Sequence, residues 1–243
     1  MTRIAILETG HPPDDLTDQF DDYPARFRAL LGEGVPTTRF DVQRGHLPDD
    51  PAAFQGAIVT GSAAGVYDDL FWIPRLLDWL RAARGKTRLV GICFGHQAMA
   101  TAFGGAVEKS DKGWGVGLHR YDVRRDEPWM HPRATAISIP VSHQDQVTAV
   151  SPDARVIAAC DFTPYAGLAW GEDAISFQCH PEFQPEYAAA LVESRRGDRI
   201  PDAVADAALA SLARPNDRPV LTAWIRAFLL LTPPPVETDG SGI

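Results

Sequence analysis

Cysteine is scarce: the 243 residues hold three, Cys93, Cys160 and Cys179. Three thiols cannot build a disulfide framework, and without a CxxC or HxxxH pattern they offer no metal site. Their number fits a reducing cytoplasm, which is the expected compartment. Basic residues are also few, 23 Lys and Arg against 32 Asp and Glu, for a formal net charge of −9. That balance argues against nonspecific binding to nucleic acid or to an anionic membrane, both of which need clustered cations. Long apolar runs are missing: nothing approaches the roughly 18 residues of a membrane span. Met1-Thr2-Arg3-Ile4 enters apolar sequence at once, without the small-residue cleavage site of a signal peptide. Global disorder is excluded as well, because 45% of residues are hydrophobic and 23% charged, ordinary values for a globular chain.

What is present is an alternation of short apolar runs with amphipathic stretches, the pattern of an α/β fold. Strands are expected at Arg3–Glu8, Thr37–Val42, Gly56–Val59 and Leu89–Cys93. Helices are expected at Tyr23–Leu31, Trp72–Ala83 and Gln97–Phe103. From Gly105 to about Cys179 the runs are short and turn-punctuated, which predicts an antiparallel extension. Ala174–Gln178 is the last expected strand. Helices follow from Pro185 to about Arg196, over 201–213 and over 219–231. The expected architecture is a doubly wound, mostly parallel sheet in one domain, residues 1–231, with a core over 1–197 and a helical addition over 198–231. Thr232–Ile243 is polar and rich in Pro and Gly, and is expected to be disordered.

Leu89–Phe103, LVGICFGHQAMATAF, runs from a strand through Gly91-Ile92-Cys93-Phe94-Gly95 into a helix. This is the cysteine counterpart of the G-x-S-x-G elbow. A Cβ two positions either side of the nucleophile would collide with neighbouring backbone. The turn places the thiol at a helix N-terminus, which favours thiolate, and aims the Phe94 N–H where an oxyanion would form. The competing reading is a buried cysteine with glycines used only for turning. Gln97, one helical turn on, faces the same side and can reach a polar substrate.

Ala174–Phe183, AISFQCHPEF, delivers His180 to a strand end, Pro181 stops the ladder, and Glu182 follows. His180 can accept the Cys93 proton while Glu182 fixes the imidazole tautomer. A lone HPE would read as a surface turn; after a buried strand, and with a cysteine elbow elsewhere, the catalytic reading is preferred. Strand alternation sends Cys179 away from His180 and into the core, and Cys160 also reads as core. His96, His119 and His131 read as turn or surface residues.

GICFGHQ at 91–97, HPEF at 180–183, IVTGS at 58–62 and SHQDQV at 142–147 together resemble the class I (triad) glutamine amidotransferases. They stand in the family's order over residues 1–197, and the resemblance is greatest to stand-alone relatives of the GMP synthase glutaminase domain. It implies a flavodoxin-like fold, Cys93 as nucleophile, His180 as general acid and base, and Glu182 as its orienter. Gln97, Ser142, His143 and Gln144 would lie beside the substrate. The family loop after the third strand usually carries two glycines and a proline, where this chain has Thr60-Gly61-Ser62-Ala63. The second oxyanion N–H therefore falls on Ser62 or Gly61, beside that of Phe94. No cofactor or metal is implied.

The resemblance leaves the substrate open. No P-loop or ATP-pyrophosphatase motif is present. One reading is a free-standing hydrolase of glutamine or a small γ-glutamyl compound. A second is a glutaminase subunit feeding ammonia to a separate synthetase. A third is a non-catalytic binding module on the same fold. A fourth, the intracellular-protease-like branch, ranks low because Phe94, not His, follows the cysteine. Two segments have two readings each: 11–22 is a lid or a solvated loop, and 112–117 (KGWGVG) is a rim of the site or a tight hairpin. The apolar stripe Leu221, Trp224, Ile225, Phe228, Leu229 is core or the face of a homodimer.

Overall fold

The computed structural model describes residues 3–231; the tail expected to be disordered, 232–243, lies outside them. Strand β1 (Ile4–Glu8) is fully buried. Its side chains alternate between two cores: Ile4 and Ile6 enter one, Ala5 and Leu7 the other. A strand covered on both faces reads as a continuous apolar run, which is why IAIL shows no polar alternation. β3 (Gly56–Val59) and β4 (Arg88–Ile92) behave alike. Ile58, Val90 and Ile92 join the first core, and Ala57, Val59 and Leu89 the second.

Helices close both faces. α1 (Tyr23–Leu31) starts at Asp22, whose carboxylate accepts the Ala25 N–H at 2.7 Å, and stops at Gly32, which adopts φ 93°. Its Phe27 and Leu31 lie in the first core with Leu221, Trp224, Ile225 and Phe228 of α6 (Arg218–Phe228). That stripe, with Leu229, is thus interior to this chain, which removes it as a dimer face. α2 (Trp72–Ala83) and α3 (Phe94–Ala102) cover the other face through Leu76, Leu80, Phe94 and Met99. The sheet is therefore doubly wound. α3 begins three residues earlier than expected. Gly95 and His96 lower helix propensity there, but helix packing on β4 overrides it.

With β2 (Thr37–Asp41), β6 (Gly115–Val123), β7 (Ala136–His143), β9 (Ala154–Ala159), β10 (Gly167–Trp170) and β11 (Ala174–Phe177), the large sheet has nine strands. Their order is β2-β1-β3-β4-β11-β10-β9-β6-β7. The first five are mutually parallel, and β10, β9, β6 and β7 form the antiparallel extension. β5 (Ala106–Lys109) and β8 (Asp145–Ala149) pair separately. The placement of β11 decides the site. It returns across the sheet to lie parallel to β4, with Phe177 opposite Ile92, while Val59 of β3 lies opposite Gly91. Three adjacent strands thus end together, delivering Gly61, Cys93 and His180 to the carboxyl edge of the sheet, where open α/β sheets bind ligands.

α4 (Pro185–Glu193) and α5 (Asp202–Leu212) flank this edge. The 11–22 segment forms one short 3-10 turn, Asp14–Leu16, and Leu16 packs with Phe183, Tyr187 and Leu191. KGWGVG is a turn leading into β6. Among the described residues no helix is long and apolar enough to cross a membrane.

Candidate active site

Cys93 holds φ 52°, ψ −102°, a strained conformation for a residue with a Cβ. Such strain is worth about 1–3 kcal/mol and persists only where the surroundings over-determine it. The surroundings here are a backbone bond from the Cys93 N–H to the Phe177 carbonyl at 2.9 Å and the two flanking glycines. A Cβ on Gly91 would meet the Gly95 carbonyl, and one on Gly95 would meet the Val59 carbonyl. Both obstacles are backbone and cannot step aside. Gly95→Ala is expected to lower stability by about 1–3 kcal/mol, an overpacking cost, or about 2–10 °C in melting temperature for a chain of this size. Thermal melts followed by circular dichroism test this; a melting point within 1 °C of wild type, at about the resolution of the comparison, would count against the elbow's geometry.

His180 lies buried across from Cys93. Its Nδ1–H donates to Glu182 Oε1 at 2.7 Å, which leaves Nε2 for the thiol. The His180 N–H bonds the Pro140 carbonyl at 2.9 Å, and the ring stacks on Phe183, 3.8 Å between centroids and 8° apart. Burial opposes charge on the imidazole, but Glu182 and then Cys93, which is also within hydrogen-bond reach, outweigh it and raise the pKa to about 10. Cys179, one residue earlier, points into the core, where burial pushes its thiol well up.

The loop after β3 is held from behind. Thr9 Oγ1 donates to the carbonyls of Thr60 (2.9 Å) and Gly61 (3.1 Å). A trans peptide points its N–H opposite its C=O, so Thr9 turns the Ser62 N–H away from itself. The Phe94 N–H opens α3 and has no acceptor within the helix. Gly61 lies against both His180 and Cys93: a Cβ there would sit 3.1 Å from the His180 ring and 3.8 Å from the Cys93 Cβ, so the ring would have to give by a few tenths of an ångström.

Two cavities meet at Cys93. The larger, about 550 Å³, is lined by Gln97, Ser142, His143 and Gln144, all expected beside a substrate. The Gln97 amide nitrogen donates to the Asp145 carbonyl at 3.0 Å and to Gln178 Oε1 at 3.2 Å, which fixes its rotamer. Two lining groups, Tyr67 and Arg195, escape sequence reasoning. Tyr67 donates to Asp145 Oδ1 at 2.9 Å, with a pKa raised to about 12 by burial and then by that carboxylate. Trp114, in the KGWGVG segment read as a rim or a hairpin, is on the wall, and so is Arg195. Asp145 and Trp114 carried a signal, as parts of SHQDQV and KGWGVG. The smaller cavity, about 320 Å³, is lined by His180, Gly61, Tyr23 and Arg195.

His96 departs from expectation. It is fully buried rather than at the surface, with Nδ1 2.8 Å from Ser176 Oγ, because α3 packs its GHQ turn onto β11. Burial lowers its pKa to about 3. His119 lies half-buried in β6, not in a turn; His131 is exposed. No cluster of His, Cys, Asp or Glu among the described residues could hold a metal ion.

A doubly wound sheet with a cysteine elbow, an adjoining His–Glu pair and a cavity on either side of the thiol defines the class: an α/β protein built around a thiol. The family model for glutamine amidotransferase class-I matches residues 28–194, and the chain belongs to that family. It is 27% identical to a glutamine amidotransferase-like protein of Schizosaccharomyces pombe, over 94% of this chain and 98% of that one. It is 26% identical to γ-glutamyl peptidase 3 of Arabidopsis thaliana, over 79% of this chain and 80% of the relative. The crystal structure of a glutamine amidotransferase from Thermotoga maritima superposes with a TM-score of 0.72 at 14% identity, covering 94% of this chain and 98% of that one. This last likeness is one of fold.

Proposed function

We propose that this protein is a cysteine-dependent amidohydrolase that cleaves the γ-glutamyl amide bond of glutamine or of a small γ-glutamyl compound. The observation that carries the reading is the convergence of Cys93, His180 and Glu182 at the ends of neighbouring strands, between two cavities. The γ-glutamyl peptidase relative supports a hydrolase over a binding module.

In this mechanism the proton shared by Cys93 and His180 rests on His180 Nε2, in keeping with the raised pKa of that imidazole, and the Cys93 sulfur attacks the γ-carbonyl carbon. The C=O π pair moves onto oxygen, and the Phe94 and Ser62 N–H groups receive that oxyanion. His180 then gives its proton to the departing amine as the C–N bond breaks, leaving a thioester. Water, deprotonated by the same imidazole, attacks the thioester and releases glutamate and the thiol. Glu182 holds the imidazole and stabilises its charged form. Gln97, Ser142, His143 and Gln144 position the glutamyl half. Residues 1–231 act as one domain in this reading.

The purified chain is expected to release glutamate from at least one γ-glutamyl amide or peptide without an added protein. A panel of glutamine, γ-glutamyl amides and γ-glutamyl peptides tests it. Silence on all of them, broken by a candidate synthetase, would favour the partner-dependent glutaminase instead.

A further inference from the structure

The two cavities differ in which neighbours of Cys93 they reach. The larger includes Gln97 and residues 142–145 but not His180; the smaller includes His180 and Gly61 but not Gln97. In the proposed reaction His180 protonates the departing amine. The smaller cavity is therefore on the leaving-group side. Its 320 Å³ far exceeds what ammonia needs, since a water-sized molecule takes about 30 Å³.

Arg195 stands on the wall shared by both cavities. Its Nη1 donates to Ser142 Oγ at 2.7 Å, and its guanidinium carbon lies 5.6 Å from the Trp114 ring centroid. Burial lowers its pKa, and the groups acting on its charge are Tyr23, Tyr187, Arg199 and Cys93. Among the described residues no carboxylate pairs with it. The neighbouring arginines differ. Arg196 reaches Glu193 at 2.7 Å and Asp206 at 2.8 Å, and Arg199 lies 3.8 Å from Asp198. Arg195 is half-buried, and a guanidinium partly withdrawn from water without a counter-ion is in an unfavourable state that an anionic ligand relieves. Its planar fork matches a carboxylate.

The segment is built to hold that position. Arg195 is the first residue past the family match, which ends at 194. The Arg196 ion pairs tie the turn after α4 to α5, the Gly197 N–H bonds the Ile200 carbonyl at 2.9 Å, and Ile200 packs against Val192, Ala205 and Ala208. The helical addition thus fixes a cation beside Cys93. The acidic groups on the same cavity, Asp15 and Asp198, are exposed at its mouth.

We propose that the smaller cavity is a leaving-group subsite in which Arg195, with Arg199 at the rim, binds a carboxylate on the departing amine. The favoured substrates are then γ-glutamyl amino acids and short γ-glutamyl peptides, not glutamine. This rests on the γ-glutamyl hydrolase reading above.

γ-Glutamylglycine and γ-glutamylglycinamide share the glutamyl half and its carboxylate and differ in the charge of the leaving group. Wild type is expected to favour the acid in kcat/KM by about tenfold to a hundredfold, the range of a charge-assisted hydrogen bond. Arg195→Gln should bring that ratio close to one, Arg195→Lys should keep part of it, and Arg199→Gln should reduce it less. No preference in wild type, or an equal loss on both substrates in Arg195→Gln, overturns the assignment; the equal loss would place the arginine on the glutamyl carboxylate. A second readout needs no turnover: the ratio of Cys93 alkylation rates by iodoacetate and iodoacetamide. It should fall severalfold in Arg195→Gln with the circular dichroism spectrum unchanged, and an unchanged ratio overturns the subsite. If no γ-glutamyl compound is cleaved while this ratio still falls, the hydrolase reading fails and the anion subsite stands.

Discussion

Cys93→Ala is expected to lose turnover of any γ-glutamyl substrate by about ten-thousandfold or more, because no other group can form the thioester. A glutamine-like electrophile should label Cys93 in the wild type and spare Cys160 and Cys179. The reason for selectivity is positional. Cys93 touches both cavities, whereas burial pushes the Cys179 thiol well up and Cys160 packs at the edge of the first core. Peptide mapping decides it, and label found mainly on Cys179 would end the elbow reading. A companion result concerns stability. Cys93→Gly should be more stable than Cys93→Ala by about 1 kcal/mol, because glycine relieves about 1–3 kcal/mol of backbone strain at φ 52° and gives back about 0.5–1 in chain entropy. At an ordinary helix position the order of the two would be reversed. A glycine variant less stable than the alanine variant would show that the elbow stores no strain.

The two segments proposed to carry the chemistry were legible in sequence because each is local. Gly91 and Gly95 are required by contacts within one strand–turn–helix unit and its neighbour Val59, and HPE places acid and base two residues apart. The strands β1, β3 and β4 were legible because both faces are buried, which leaves uninterrupted apolar runs. What sequence does not carry is pairing at long range. Nothing in AISF says that it returns to β4 rather than extending the antiparallel part, yet that one choice brings His180 to Cys93. His96 was misread for a related reason. A polar residue buried by a distant partner, here Ser176, looks like a surface residue until the partner is known. Arg195 left no local signal either, since a single arginine after a helix is usually a solvated side chain. Its role depends on Ser142, 53 residues away, and on the α5 segment that holds it.

His180→Ala should lower kcat by about a thousandfold to ten-thousandfold, the upper part of what a positioned acid and base supplies. Glu182→Gln should lower it by about a hundredfold or more, since the amide can hold the wrong tautomer. The fold should survive in both, because the pair sits at a strand end. The pH dependence separates orientation from charge. Glu182 is the strongest of the influences that raise His180 to about 10 against the opposing effect of burial. A folded value above the unfolded one, about 6.5, means that the imidazolium contributes stability in full below about pH 6.5. That contribution is lost as pH rises through about 10. Removing the carboxylate lowers the folded value, so the loss should begin at lower pH in Glu182→Gln. The alkaline limb of kcat/KM should move down with it, because the amine can leave only while His180 holds its proton. Profiles of kcat/KM and of melting temperature over the same pH range check both. If activity falls but the alkaline limb stays where it is in wild type, Glu182 orients the ring without governing its charge, and the ion-pair part of the mechanism is wrong.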